Sequence, residues 1–236
     1  MHDAEAFAPV SGRHLAATLA VGVGAAALIG TISWWVQSSV VGVSPALKQQ
    51  IVTVQVYGVP VGALIFGFRP LREPPFVLRG AALRYLLLAP LALAGVVAVT
   101  AVLYLLVSPL TGDLASSARQ GLAIATDAQR LAGQPSGPWG VALLRGIVVA
   151  PLFEELLFRG ALLGWLAKHL SVGWAAVSAS ALFGLMHFYP VVMPYAFLFG
   201  LAATWLRLRS GSLLPGFAMH ALNSVVLLTA GLLLLK

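Results

Sequence analysis

The sequence predicts an all-helical, polytopic integral membrane protein, with seven or eight transmembrane helices around a polar intramembrane cavity. Three observations carry this expectation. Of 236 residues, 60% are hydrophobic and 9% charged, against roughly 45–50% and about 25% in soluble domains. Apolar runs close to the length that crosses a bilayer, about 20 residues, recur along the chain. The 14 Lys and Arg are scattered between those runs, as membrane-flanking residues are, so the net charge of +7 marks no patch for nucleic acid. Cysteine is absent, which excludes disulfides, thiolate nucleophiles and cysteine-based zinc sites.

The first apolar run, residues 15–36, is longer than a signal-peptide core of about 7 to 15 residues and reads as a retained span. Further spans are expected at 51–68, 85–107, 141–158, 172–188, 191–206 and 213–235. An eighth exists only if 161–170 inserts separately, and Lys168 with His169 makes that stretch a more natural interfacial helix end. Pro60, Pro90 and Gly200 within spans are tolerable, because neighbouring helices satisfy the freed backbone groups. The connection 69–84 holds Arg69, Arg72, Arg79 and Arg84 against Glu73, whereas 108–140 is balanced. The excess of cations places the first on the cytoplasmic side, together with the N-terminus, in what is expected to be the inner (plasma) membrane. No repeat interrupts the chain, so 1–236 reads as a single integral membrane domain, with its chemistry between 140 and 230.

Charge inside an apolar run is costly and therefore functional by default. Glu154 and Glu155 lie inside such a run. Arg159 follows Glu155 by four residues, on the same helical face and in the favoured order, while Glu154 points elsewhere. Glu155 is thus the expected salt-bridge partner. Glu154 is the expected general base, since low dielectric suits a carboxylate to that work near neutral pH. A hairpin turning at 170–173 would pair residues whose numbers sum to about 341 or 343, and 154 and 187 sum to 341, which sets His187 at the depth of Glu154. That register needs 161–170 to prolong the fourth helix. In the last span His220, Asn223 and Ser224 share one face, about 10 Å below the turn at 207–212. A carboxylate, two imidazoles and an amide then converge, a set suited to hydrolysing an amide bond.

Glu154-Glu155-x-x-x-Arg159, Phe183-x-x-x-His187 and His220 with Asn223 resemble, in order and spacing, the three motifs of the CPBP family of intramembrane proteases (CAAX protease and bacteriocin-processing, or Abi), which includes the type II CAAX prenyl endopeptidases. The resemblance covers roughly 140–230. It implies a helical membrane fold with a cavity open to the cytosolic side, and a membrane-associated peptide or protein tail as substrate. It also implies roles: Glu154 as the water-activating base, with Glu155, Arg159, His187 and His220 at the matching motif positions. The family commonly has Asn or Asp four residues after the last histidine. Here that place is Ser224, and the amide is one earlier, at Asn223.

Two histidines and a glutamate can hold a catalytic zinc, in which case His187 and His220 would be ligands. No H-E-x-x-H is present, and the expectation is a metal-free glutamate mechanism in which Glu154 and His187 hold and deprotonate the attacking water and His220 with Asn223 stabilises the oxyanion. The alternatives are a proton- or ion-coupled transporter and a non-catalytic immunity or scaffold protein on the same fold. No matched pair of broken helices, the mark of many transporters, is seen in the two halves.

Overall fold

A computed structural model describes residues 76–78, 80–111, 144–187 and 190–234, together with Gly12, Arg13 and Ala16. The expected spans at 15–36 (Ala16 apart) and 51–68, and much of the connections 69–84 and 108–140, lie outside the described residues. Those described form helices and turns, with no strand among them. Five helices follow in order. They are α1 (Gly80–Thr111), α2 (the consecutive segments Leu144–Val149, Ala150–Glu155, Leu156–Leu162 and Leu163–Leu166), α3 (Val172–Leu185), α4 (Met193–Ser210) and α5 (Leu214–Leu234).

In α1 the 28-residue stretch Gly80–Val107 is apolar all round and only 22% buried. Leu87 is 75% and Leu91 68% exposed, an apolar surface that suits lipid and not water. At 1.5 Å per residue such a stretch covers about 42 Å, more than the hydrocarbon thickness of about 30 Å. It is the helix among the described residues that is long and apolar enough to cross a membrane. Its buried residues, Ala82, Ala89, Leu93, Val96 and Thr100, form one stripe at helical spacing against α4 and α5.

Helix α2 is continuous, since Val149, Glu155 and Leu162 all keep right-handed helical dihedrals. Two segments, Leu144–Val149 and Leu156–Leu162, widen to the i to i+5 pattern. Pro151 has no N–H for the carbonyl four residues earlier, so the ladder around it must be re-spaced. The second widening follows the glutamate pair directly and contains Arg159, and such bulges often sit at functional sites. Beyond it the helix runs on to Leu166, and His169 and Leu170 donate to the Leu166 carbonyl to close the turn. Residues 161–166 therefore prolong α2, and 167–170 form the turn that follows.

The α2–α3 hairpin has the expected register. Phe158 and Phe183, whose numbers sum to 341, meet edge to face at 5.0 Å. Helix α3 is shorter than the expected 172–188 and stops at Leu185. Helices α3 and α4 approach through small residues: a Cβ on Gly200 would lie 3.0 Å from Ser180 Cβ, and one on Gly184 3.0 Å from the Met193 carbonyl oxygen. Close backbone approach of this kind replaces the hydrophobic driving force that lipid removes. The α4–α5 turn is made by Gly211, at φ 68°, and by Ser212, whose hydroxyl accepts from the Leu214 N–H at the head of α5.

Ring contacts fix which ends lie together. Tyr85, near the start of α1, packs against Trp205 near the end of α4, and the Tyr104 hydroxyl donates to the Val191 carbonyl before α4 begins. Arg84, Lys168, Arg207 and Arg209 consequently share one end of the bundle, and the 186–192 connection lies at the other.

Candidate active site

The site is assembled where α2, α3, α4 and α5 meet. Arg159 and Glu155, spaced four apart on α2, form an ion pair with Arg159 Nη1 3.1 Å from Glu155 Oε1, and their side chains are 1% and 0% exposed. The guanidinium lies 4.3 Å over the Phe183 ring and 6.0 Å from that of Phe158, so the cation is held by a carboxylate and by aromatic faces. Its two terminal nitrogens make no hydrogen bond with any described residue. Glu155 Oε2 is pressed against Gly216, where a Cβ would come within 2.7 Å of it. Any larger residue at 216 would force that carboxylate to shift.

His220 stands between the two glutamates. Its Nδ1 is 3.4 Å from Glu155 Oε1 and its Nε2 3.6 Å from Glu154 Oε2. Adjacent residues on a helix diverge by about 100°, so consecutive carboxylates can reach the two ring nitrogens of one imidazole. The Glu155 contact is at hydrogen-bond distance. The Glu154 contact is longer, and Glu154 Oε2 has no hydrogen-bond partner among the described residues. Unlike Glu155, Glu154 keeps its side chain 28% exposed. The Glu155 side chain is fully enclosed, whereas that of Glu154 is partly exposed, although its Oε2 is buried against His220. The imidazole itself is walled by Phe199, at 4.9 Å, and Phe183, at 6.1 Å.

His187 is placed differently from the depth argument. It is half-buried, and its Nδ1 lies 2.9 Å from the Phe183 carbonyl oxygen. A carbonyl only accepts, so Nδ1 is the donor in this contact. No hydrogen bond or ion pair joins His187 to Glu154 among the described residues. The register is right but α3 ends at Leu185, and His187, beyond that end, folds its ring back on Phe183 at 4.9 Å. His187 and His220 thus flank the same phenylalanine.

On α5, Asn223 is buried, and its Oδ1 accepts from the Tyr195 hydroxyl at 2.5 Å. Ser224 instead donates back to the His220 carbonyl at 3.2 Å. The amide therefore faces α4, and the hydroxyl is spent on its own helix. Tyr195, Phe199 and Gly216 escape sequence reasoning. A signal for the first two exists: about the 207–212 turn, Tyr195 and Phe199 fall level with Asn223 and His220.

A metal ion would need converging donors. Glu155 is engaged by Arg159, both nitrogens of His220 face carboxylates, and His187 lies across Phe183. Among the described residues no three His, Cys, Asp or Glu side chains are grouped to hold a metal, so as placed they do not fit a zinc site.

Residues 136–226 match the family model described as type II CAAX prenyl endopeptidase Rce1-like. Over this stretch the chain is similar to that family. The match agrees with the CPBP relationship implied by the three motifs, and it contains all of Glu154, Glu155, Arg159, Phe183, His187, His220, Asn223 and Ser224. The family so described is one of endopeptidases, and the described residues of this chain are helical, with one helix long and apolar enough to cross a membrane. No curated protein and no solved structure matches the chain.

Proposed function

We propose that this protein is an intramembrane endopeptidase that hydrolyses a peptide bond in a membrane-associated peptide or protein tail, using water activated by Glu154. The observation that carries the reading is the partly exposed Glu154 side chain, with Oε2 3.6 Å from His220 Nε2, inside the stretch that matches the endopeptidase family model. The attacking water is proposed to enter between these two atoms, with a hydrogen bond of about 2.8 Å to each. Its oxygen attacks the scissile carbonyl carbon while its proton passes to Glu154, and that proton then goes to the departing amine nitrogen. The charge on the carbonyl oxygen is met by the Asn223 amide, while His220 Nε2 helps hold the water. His187, across Phe183 from His220, is the second imidazole at the site. Glu155 and Arg159 hold His220 and the backbone of α2 in place. Incubating the full chain in liposomes with farnesylated and unprenylated fluorogenic peptides tests the reading. Cleavage is expected, and its absence with transmembrane proton movement would favour a transporter.

The mechanism is proposed to be free of metal, because the donors are committed as described. Stripping the purified protein with a micelle-penetrating chelator is expected to leave the cleavage rate unchanged. Loss of activity restored by one equivalent of zinc would make His187 and His220 ligands instead.

The protein is further proposed to span the inner (plasma) membrane seven times, with its N-terminus and its basic bundle end in the cytoplasm. Exposed Arg84, Lys168 and Arg209 at a single end support this. With no native cysteine to interfere, Arg209→Cys is expected to react with an impermeant maleimide in inside-out vesicles and not in intact cells. The opposite pattern would reverse the orientation.

A further inference from the structure

We infer that Tyr195 is a positioning residue that orients the Asn223 amide so that its N–H groups, and not its oxygen, face the reacting carbonyl. The inference rests on the peptidase reading above. Asn223 lies three residues after His220 on α5 and is buried at the level of that imidazole. A primary amide can turn end for end, and the wrong end would point a carbonyl dipole at a developing oxyanion. In the structure Tyr195 is partnered with the oxygen end. Its hydroxyl donates to Asn223 Oδ1 at 2.5 Å, which leaves both Nδ2 hydrogens to be directed elsewhere.

The position of Tyr195 is itself fixed. It sits in the first turn of α4, after Pro194, and its ring packs at 6.3 Å against that of Phe199, one turn later. Phe199 in turn packs against His220 at 4.9 Å. A pair spaced four apart on α4 thus grips a pair spaced three apart on α5: the phenylalanine holds the imidazole and the tyrosine holds the amide. The same contact accounts for an amide working one residue earlier than the family commonly has it. Asn223 faces α4, where Tyr195 waits, while Ser224 turns its hydroxyl back to the His220 carbonyl.

The experiment is a double-mutant cycle on the full chain in liposomes, with a farnesylated fluorogenic peptide as probe and kcat and KM read separately. Tyr195→Phe is expected to lower kcat about tenfold, the ratio that one hydrogen bond of ordinary net strength carries, with KM nearly unchanged. In an Asn223→Ala background the same change is expected to cost nothing more, because Tyr195 acts only through the amide. Asn223→Asp keeps an acceptor for Tyr195 but loses the N–H donors, and is expected to be as slow as Asn223→Ala. An equal cost of Tyr195→Phe in both backgrounds, no cost in the wild type, or wild-type kcat for Asn223→Asp overturns the inference and leaves the peptidase reading standing. A wild-type protein that cleaves no peptide overturns the peptidase reading itself, before any variant is compared.

Discussion

Glu154→Gln is expected to give a folded, membrane-inserted protein whose cleavage rate falls by about 10² to 10⁴-fold, the range a positioned general base supplies. The argument lies in the asymmetry of the glutamate pair. Glu154 makes no ion pair with Arg159 and keeps 28% of its side chain accessible, so losing its charge strands no buried cation. Glutamine is nearly the same size and still reaches the His220 ring. What it cannot do is accept a proton from water. Thermal unfolding in detergent is therefore expected to be close to wild type while turnover is lost, and that separation is the point of the experiment. Activity equal to wild type would remove Glu154 from the reaction. Loss of folding along with activity would make it structural.

Much of this arrangement is legible in the sequence because polar residues are scarce in it. Where the chain is 60% hydrophobic, two adjacent glutamates followed by an arginine four residues on cannot be surface decoration, and helical spacing alone pairs Glu155 with Arg159. The same reasoning sets Phe158 level with Phe183 across the α2–α3 turn. What it cannot see is where a helix stops. The placement of His187 opposite Glu154 assumes that α3 continues through residue 188, and the chain leaves the helix after Leu185. Nor does an apolar period exist to read in α1: every side is apolar, so the seam through Ala82, Ala89, Leu93, Val96 and Thr100 emerges only from packing.

The role of small residues is hidden for a related reason. Gly216 looks like one of 24 glycines until the Glu155 carboxylate is found in the space its missing Cβ leaves. Gly200, flanked by Ser180 and by the Arg159 guanidinium, with Nη2 3.3 Å from where its Cβ would be, works the same way. Both glycines let neighbouring backbones close around a buried ion pair, a tertiary requirement that local propensity does not encode.

The Glu155 substitution is expected to behave in the opposite manner to that at Glu154. Glu155→Gln leaves Arg159, 1% exposed and without hydrogen bonds from its terminal nitrogens to described residues, as a cation with no anion beside it. Breaking a buried pair from one side costs about 3 to 5 kcal/mol, far more than the pair contributes relative to an apolar replacement. In a chain of this size that corresponds to a fall of roughly 10 °C in the unfolding midpoint. The Phe183 face at 4.3 Å offsets only part of the loss. Activity should fall too, because Glu155 Oε1 also accepts from His220 Nδ1 at 3.4 Å and fixes which nitrogen faces Glu154. The decisive comparison is the double variant Glu155→Leu with Arg159→Met. Removing both charges removes the stranded ion, so the double variant is expected to unfold at a higher temperature than either single variant, while its activity stays low because His220 has lost its orienting acceptor. If Glu155→Gln alone unfolds where the wild type does, the buried pair is not what holds α2 against α3, α4 and α5. Recovery of activity along with stability in the double variant would instead show that His220 needs no help from Glu155.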